Sequence, residues 1–165
     1  MNIAPDSPEY GTTYEYHNES QVYALMNLKS GVTGTIHMNG DSLITDVPFF
    51  MIYGTKGILK LTCANDFGGQ VELLPASDSF TPKPALLLEN TSPITGAHRG
   101  IGPAELALSI ECGKPNRADK EMAYHVLEVI GKMIESNEKK IPLKVRSTCT
   151  IPTLLSEEEL KQICG

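Results

Sequence analysis

Glu121 and His125 stand four residues apart and Glu128 follows three later, so on a helix all three side chains share a face where a metal ion could be held. The same spacing serves an ordinary i,i+4 contact beside the apolar positions Met122, Val126 and Ile130, and a half-buried histidine is the expectation. His17 and His37 fall on predicted strands, where solvent or a cross-strand neighbour is the expected partner. Gly100-Ile101-Gly102-Pro103-Ala104-Glu105 approaches a phosphate-cradling Gly-x-Gly-x-x-Gly, but Glu105 takes the third glycine place and no strand precedes it, so a helix-starting turn is expected. Neither a Walker motif nor Gly-x-Ser-x-Gly is present. Cys63, Cys112, Cys149 and Cys164 form no C-x-x-C pair and are expected as free thiols, Cys63 and Cys112 filling apolar space in a strand and a helix. Asn18 and Asn90 open glycosylation sequons, which are idle without export.

The elements that position these residues follow from local patterns. Apolar alternation from Ser20 to Asn39, broken by Ser30-Gly31, predicts a β-hairpin. A second pair, Pro48 to Tyr53 and Ile58 to Cys63, is joined by Gly54-Thr55-Lys56-Gly57, and Gln70 to Leu74 follows the Asp66-Phe67-Gly68-Gly69 turn. Connections this short force antiparallel pairing. Residues 75–100 read mostly as loop, with an apolar run at Ala85 to Leu88 of undecided type. Pro103 at a first helical position predicts a helix through Ile110, closed by Gly113 and Pro115. The helix from Ala118 to Asn137 has the clearest 3.6-residue period, with one apolar and one charged face. Ile141 to Val145 reads as extended, and Ser156-Glu157-Glu158-Glu159 as a capping box opening a last helix. Strands first and helices later predict an α+β fold: one open antiparallel sheet with helices packed on one face, over residues 1–165 as a single domain.

Composition narrows the class. A chain of 165 residues with 41% hydrophobic and 21% charged side chains suits one globular core of its own, without metals or disulfides. The net charge of -6, with basic residues scattered, argues against nucleic-acid partners. With no long apolar run and no basic-then-apolar leader, no membrane association is expected and the location is expected to be cytoplasmic.

Several segments in order resemble the C-terminal domain of the Gfo/Idh/MocA family, named for glucose-fructose oxidoreductase, inositol dehydrogenase and a rhizopine-catabolism protein. The matching pieces are Gly54-Thr55-Lys56-Gly57-Ile58-Leu59-Lys60-Leu61; Arg99-Gly100-Ile101-Gly102 with Glu105 to Ile110; and Asn116-Arg117-Ala118-Asp119 with Ala123, His125-Val126-Leu127-Glu128, Ser136 and Pro152. The resemblance as a whole spans almost the whole chain, from a strand expected at Tyr14 to Pro152.

The resemblance implies the substrate-binding and assembly domain of a two-domain oxidoreductase that uses NAD or NADP on a sugar, cyclitol or related polyol. The Rossmann domain that holds the cofactor in that family has no counterpart here, so the chain is expected to bind neither NAD nor NADP, to carry no catalytic residue and to be a piece of a longer gene product. Gly113-Lys114-Pro115 echoes the family's catalytic E-K-P but matches a different segment, and the D-x-x-x-H signature is absent. By the same resemblance the region Asn39 to Asp46 faces the nicotinamide, which makes Asn39, Asp41 and Asp46 candidate substrate contacts; His98 and Arg99 are a second pair. Carboxylates and amides suit hydroxyl recognition, although the same residue types also dominate plain turns. A homo-oligomer through the open sheet face is expected, with Tyr23, Leu25, Phe49 and Met51 supplying apolar area. The alternatives are a freestanding ligand-binding or interaction module and a family member that uses NAD in glycoside hydrolysis.

Overall fold

The computed structural model describes residues 5–13, 15, 17–40, 50–63, 65–92, 94–96 and 98–164. The fold is α+β: two antiparallel sheets and three helices. The chain divides into two compact units, Met1–Val47 and Pro48–Gly165.

The first unit holds β1 (Gln21–Asn27) and β2 (Thr33–Asn39), paired in register from Gln21 opposite Asn39 to Asn27 opposite Thr33. The predicted Ser30-Gly31 turn closes the hairpin, with Leu28 N–H donating to Val32 O at 2.9 Å and Gly31 N–H to Leu28 O at 2.9 Å. Along β1, Val22, Ala24 and Met26 are half-buried while Gln21, Tyr23, Leu25 and Asn27 are exposed, as a period of two requires.

The second unit begins with a four-stranded sheet in the order β3 (Phe50–Gly54), β4 (Gly57–Leu61), β5 (Val71–Pro75), β6 (Leu86–Leu88). Gly57 shows why a glycine is needed at the β3–β4 turn: φ is 149°, and a Cβ there would lie 2.4 Å from Leu74 O. The undecided run at Ala85 to Leu88 supplies β6. Central strands β4 and β5 are half-buried throughout, and Ile94 is the one buried apolar residue among those described. Met51 is half-buried and Phe50 and Ile52 are exposed, so apolar exposure on β3 has the opposite parity from that expected; Phe49 lies outside the described residues. Cys63 lies just past β4, half-buried, instead of within the strand.

Helix α1 (Ile101–Cys112) starts two residues earlier than expected, placing Pro103 at its third position, where a missing N–H still costs nothing. Gly113 closes α1 at φ 62°, with Gly113 N–H on Ile110 O and Lys114 N–H on Ser109 O, a Schellman pair. Cys112 is exposed at this end, not packed in a core. Helix α2 (Lys120–Lys139) is capped by Asp119, whose side chain accepts from Met122 N–H at 2.8 Å. None of its residues is buried, and Val126, Leu127 and Ile130, expected to face a core, are exposed. The predicted capping box opens α3 (Glu157–Cys164): Ser156 N–H donates to Glu159 Oε2 at 2.9 Å and Glu159 N–H to Ser156 Oγ at 3.2 Å. Ile141 to Val145 forms no strand.

Candidate functional site

The richest polar cluster in the second unit grows from the inner face of α1. Glu105 and Ser109 sit one turn apart, so both point the same way, and both are buried, Glu105 at 6% exposure. A carboxylate this buried requires donors. It has three: Ser109 Oγ at 3.0 Å, Asn116 Nδ2, and Arg117 Nη1 at 3.0 Å. The Schellman turn at Gly113 brings Asn116 and Arg117 back against α1.

Arg117 uses its planar fork in several directions. Nε donates to Thr153 O at 2.9 Å, and Nη2 donates to Glu159 Oε2 at 2.8 Å and to Leu154 O at 3.4 Å. One guanidinium therefore joins α1, the chain before α3, and α3 itself. The Glu159 carboxylate, accepting first from Ser156 N–H and then from Arg117, is held well below the usual range, at about 2. Arg117 is correspondingly raised, chiefly by its bond to Glu159. Around this network lies a pocket of about 540 Å³, with Lys114, Asp119, Thr150 and Gln162 on its walls. Glu105 takes donors from Ser109, Asn116 and Arg117, and Arg117 bridges on to Glu159, so the arrangement braces α3 against α1.

A second polar anchor lies on α2. The Glu128 carboxylate accepts Arg146 N–H at 3.0 Å on Oε1 and Ser147 N–H at 2.7 Å on Oε2, and its pKa falls to about 2, with hydrogen bonding to Ser147 the main cause. His125 Nδ1 lies 2.9 Å from Ser147 Oγ. His125 and Glu128 are thus spent on fastening the segment after α2, while Glu121 pairs with Lys120 at 3.7 Å. Among the described residues no group of three His, Cys, Asp or Glu side chains is placed to hold a metal. Ser136 Oγ fixes the start of the same segment by donating to Ile141 O at 2.6 Å.

The expected substrate contacts fall in different places. Asn39 ends β2 in the first unit, opposite Gln21 and half-buried. Asp41 and Asp46 lie outside the described residues. His98 and Arg99 are exposed in the second unit, in the loop before α1. That loop is anchored to the β4–β5 turn by reciprocal bonds between Phe67 and Gly96, each 2.9 Å, and His98 Nε2 lies 2.8 Å from Thr95 O. Asn90 is bonded at both ends, with Nδ2 donating to Gly68 O and Oδ1 accepting from Ser92 N–H.

The chain enters α1 through a turn at Arg99 and Gly100. A Cβ on Gly100 or Gly102 would meet no protein atom within 4 Å. Ile101 N–H is taken by His98 O at 3.3 Å and Pro103 has none to offer a phosphate.

The Glu105–Arg117–Glu159 brace was not legible from local patterns, although the capping box did single out Glu159. Comparison with protein-family models, curated proteins and solved structures finds no match for the chain. No helix among the described residues is long and apolar enough to cross a membrane.

Proposed function

We propose that the chain is the substrate-binding and assembly domain of an oxidoreductase that uses NAD or NADP on a sugar, cyclitol or related polyol, with the cofactor and the catalytic lysine supplied by a separate dinucleotide-binding domain. One observation carries this reading. The residues on which the family resemblance rests are the ones that anchor the second unit: Arg117 ties α1 to α3, His125 and Glu128 hold Ser147, and Ser136 holds Ile141. Residues that a family motif would keep for scaffolding are here spent on scaffolding. The Gly54-Thr55-Lys56-Gly57 hairpin likewise forms the β3–β4 turn, where Gly57 alone admits the close pass of Leu74 O.

In this reading Asn39, Asp41 and Asp46 meet substrate hydroxyls, with His98 and Arg99 as a second contact. Assembly proceeds through exposed sheet residues of the second unit, for which Phe50 and Ile52 on β3 offer apolar area. The domain works in the cytoplasm as part of a homo-oligomer. The test is to read the coding sequence in frame before Met1. A strand–Gly-x-Gly-x-x-Gly–helix unit followed by E-K-P supports the proposal; a native start at Met1 with neither motif removes it in favour of a freestanding module.

A further inference from the structure

On β1 and β2 the directly opposed residues Tyr23 and His37 stack with ring centroids 3.9 Å apart and planes 16° from parallel. Tyr23 remains 72% exposed, so a fixed aromatic surface faces outward. On the same face the next pairs along the ladder are Gln21 with Asn39 on one side and Leu25 with Thr35 on the other. Two residues along a strand span about 7 Å, which puts the Gln21 amide beside the open face of Tyr23 at the reach of substituents on a six-membered ring. None of these six residues carries a fixed charge. A neutral face with an apolar ring and hydrogen-bonding flanks is the wrong surface for a phosphate or a nucleic acid. It is the right one for a ring that is apolar on its C–H face and hydroxylated at its edge.

We propose that the open face of Tyr23, backed by His37, is a binding platform for the C–H face of a neutral pyranose or cyclitol ring, with Gln21 on the same strand bonding its hydroxyls. The class of ligand rests on the polyol reading given above; the site itself lies wholly within the first unit and needs no cofactor. His37 locks the Tyr23 ring, so little rotamer freedom is lost on binding. Leu25 extends the apolar strip under the ring edge.

The experiment is an NMR titration of the whole chain with methyl β-glucopyranoside and with myo-inositol, using the open-chain polyol sorbitol as the control. The expected result is selective shifts of the Tyr23 and His37 ring signals, upfield movement of the ligand C–H signals, and a far smaller response to sorbitol. Tyr23→Phe keeps binding, whereas Tyr23→Thr, which retains strand propensity, weakens it by about tenfold or more. The β1–β2 amide pattern in the same spectra reports that the hairpin is intact. Absence of ring shifts with both cyclic probes, an equal response to sorbitol, or undiminished binding by an intact Tyr23→Thr hairpin would overturn the platform and leave the stack as a cross-strand contact. None of these outcomes bears on nicotinamide-dependent turnover, which is measured separately.

Discussion

Arg117 Nη1 lies 3.0 Å from Oε1 of Glu105, a carboxylate buried twelve positions earlier on α1. A buried charge costs much to desolvate, so this pair contributes mainly by fixing where α1, the α1–α2 turn and α3 meet. Removing the guanidinium would strand Glu105. Arg117→Ala is expected to lower stability by about 2–4 kcal/mol, and Arg117→Lys to recover only a minor part, since one ammonium cannot span Glu105, Thr153 O and Glu159. Urea unfolding of the three proteins measures this; a lysine variant as stable as the parent would show that the fork geometry is irrelevant.

Glu128, Glu135 and Glu159 are each held at about 2 against an ordinary 4.5: Glu128 mainly by Ser147, Glu135 by Lys132 and Lys139, and Glu159 by Ser156 N–H and Arg117. A carboxyl whose pKa is lower folded than unfolded gives its full stabilisation above the unfolded value and loses it as the pH falls through the folded one. Thermal stability is therefore expected to be flat above about pH 5 and to drop steadily toward pH 2. Glu128→Gln should make the drop shallower, and melting curves across that range check both statements.

The Glu128 clamp also predicts a local effect. Because the carboxylate accepts both Arg146 and Ser147 N–H groups, Glu128→Gln, which keeps one acceptor oxygen, should speed hydrogen exchange at one or both of these amides while leaving β3–β6 unchanged. Exchange rates equal to the parent at 146 and 147 would mean that the segment is held by something else.

If Asn39, Asp41 and Asp46 contact substrate, alanine at each position in the full-length enzyme should reduce kcat/KM by roughly 1–3 kcal/mol, the loss expected for one hydrogen bond to a substrate hydroxyl. Parental kinetics for all three would return them to turn residues and shift attention to His98 and Arg99.

Self-association is expected through the exposed sheet residues, with an isologous contact burying over about 1,000 Å². Sedimentation of the parent and of a Phe50→Lys, Ile52→Lys double variant tests it. A dimer that the double variant abolishes is the expected outcome, and one that survives intact would place the contact elsewhere.

Features closed by near neighbours were readable in the sequence. The Ser30-Gly31 and Gly54–Gly57 turns and the Ser156–Glu159 box each involve residues within about four positions, so local chemistry decides them. The brace was not readable, because Arg117 meets Glu105 and Glu159 across 12 and 42 residues. The parity of β3 failed for a different reason: residues 48–53 are apolar in succession, and a run without alternation does not say which side faces in. The α2 stripe shows the limit of periodicity. Spacing reveals that Val126, Leu127 and Ile130 share an apolar face, but says nothing of what covers it. Asn39 was legible as a strand end, while its role depends on Asp41 and Asp46, outside the described residues.

The measurement that bears most directly on the proposed function is nicotinamide reduction by the full-length gene product, run beside the 165-residue chain alone, with myo-inositol and glucose as substrates and NAD or NADP as oxidant. Hydride transfer requires a cofactor carbon and a substrate carbon about 3–3.5 Å apart with a base in reach, and in the proposed function this chain walls only one side of such a site. The predicted result is turnover by the full-length protein and none by the chain alone. Turnover by the chain alone, or a full-length product that binds neither NAD nor NADP, would contradict the account.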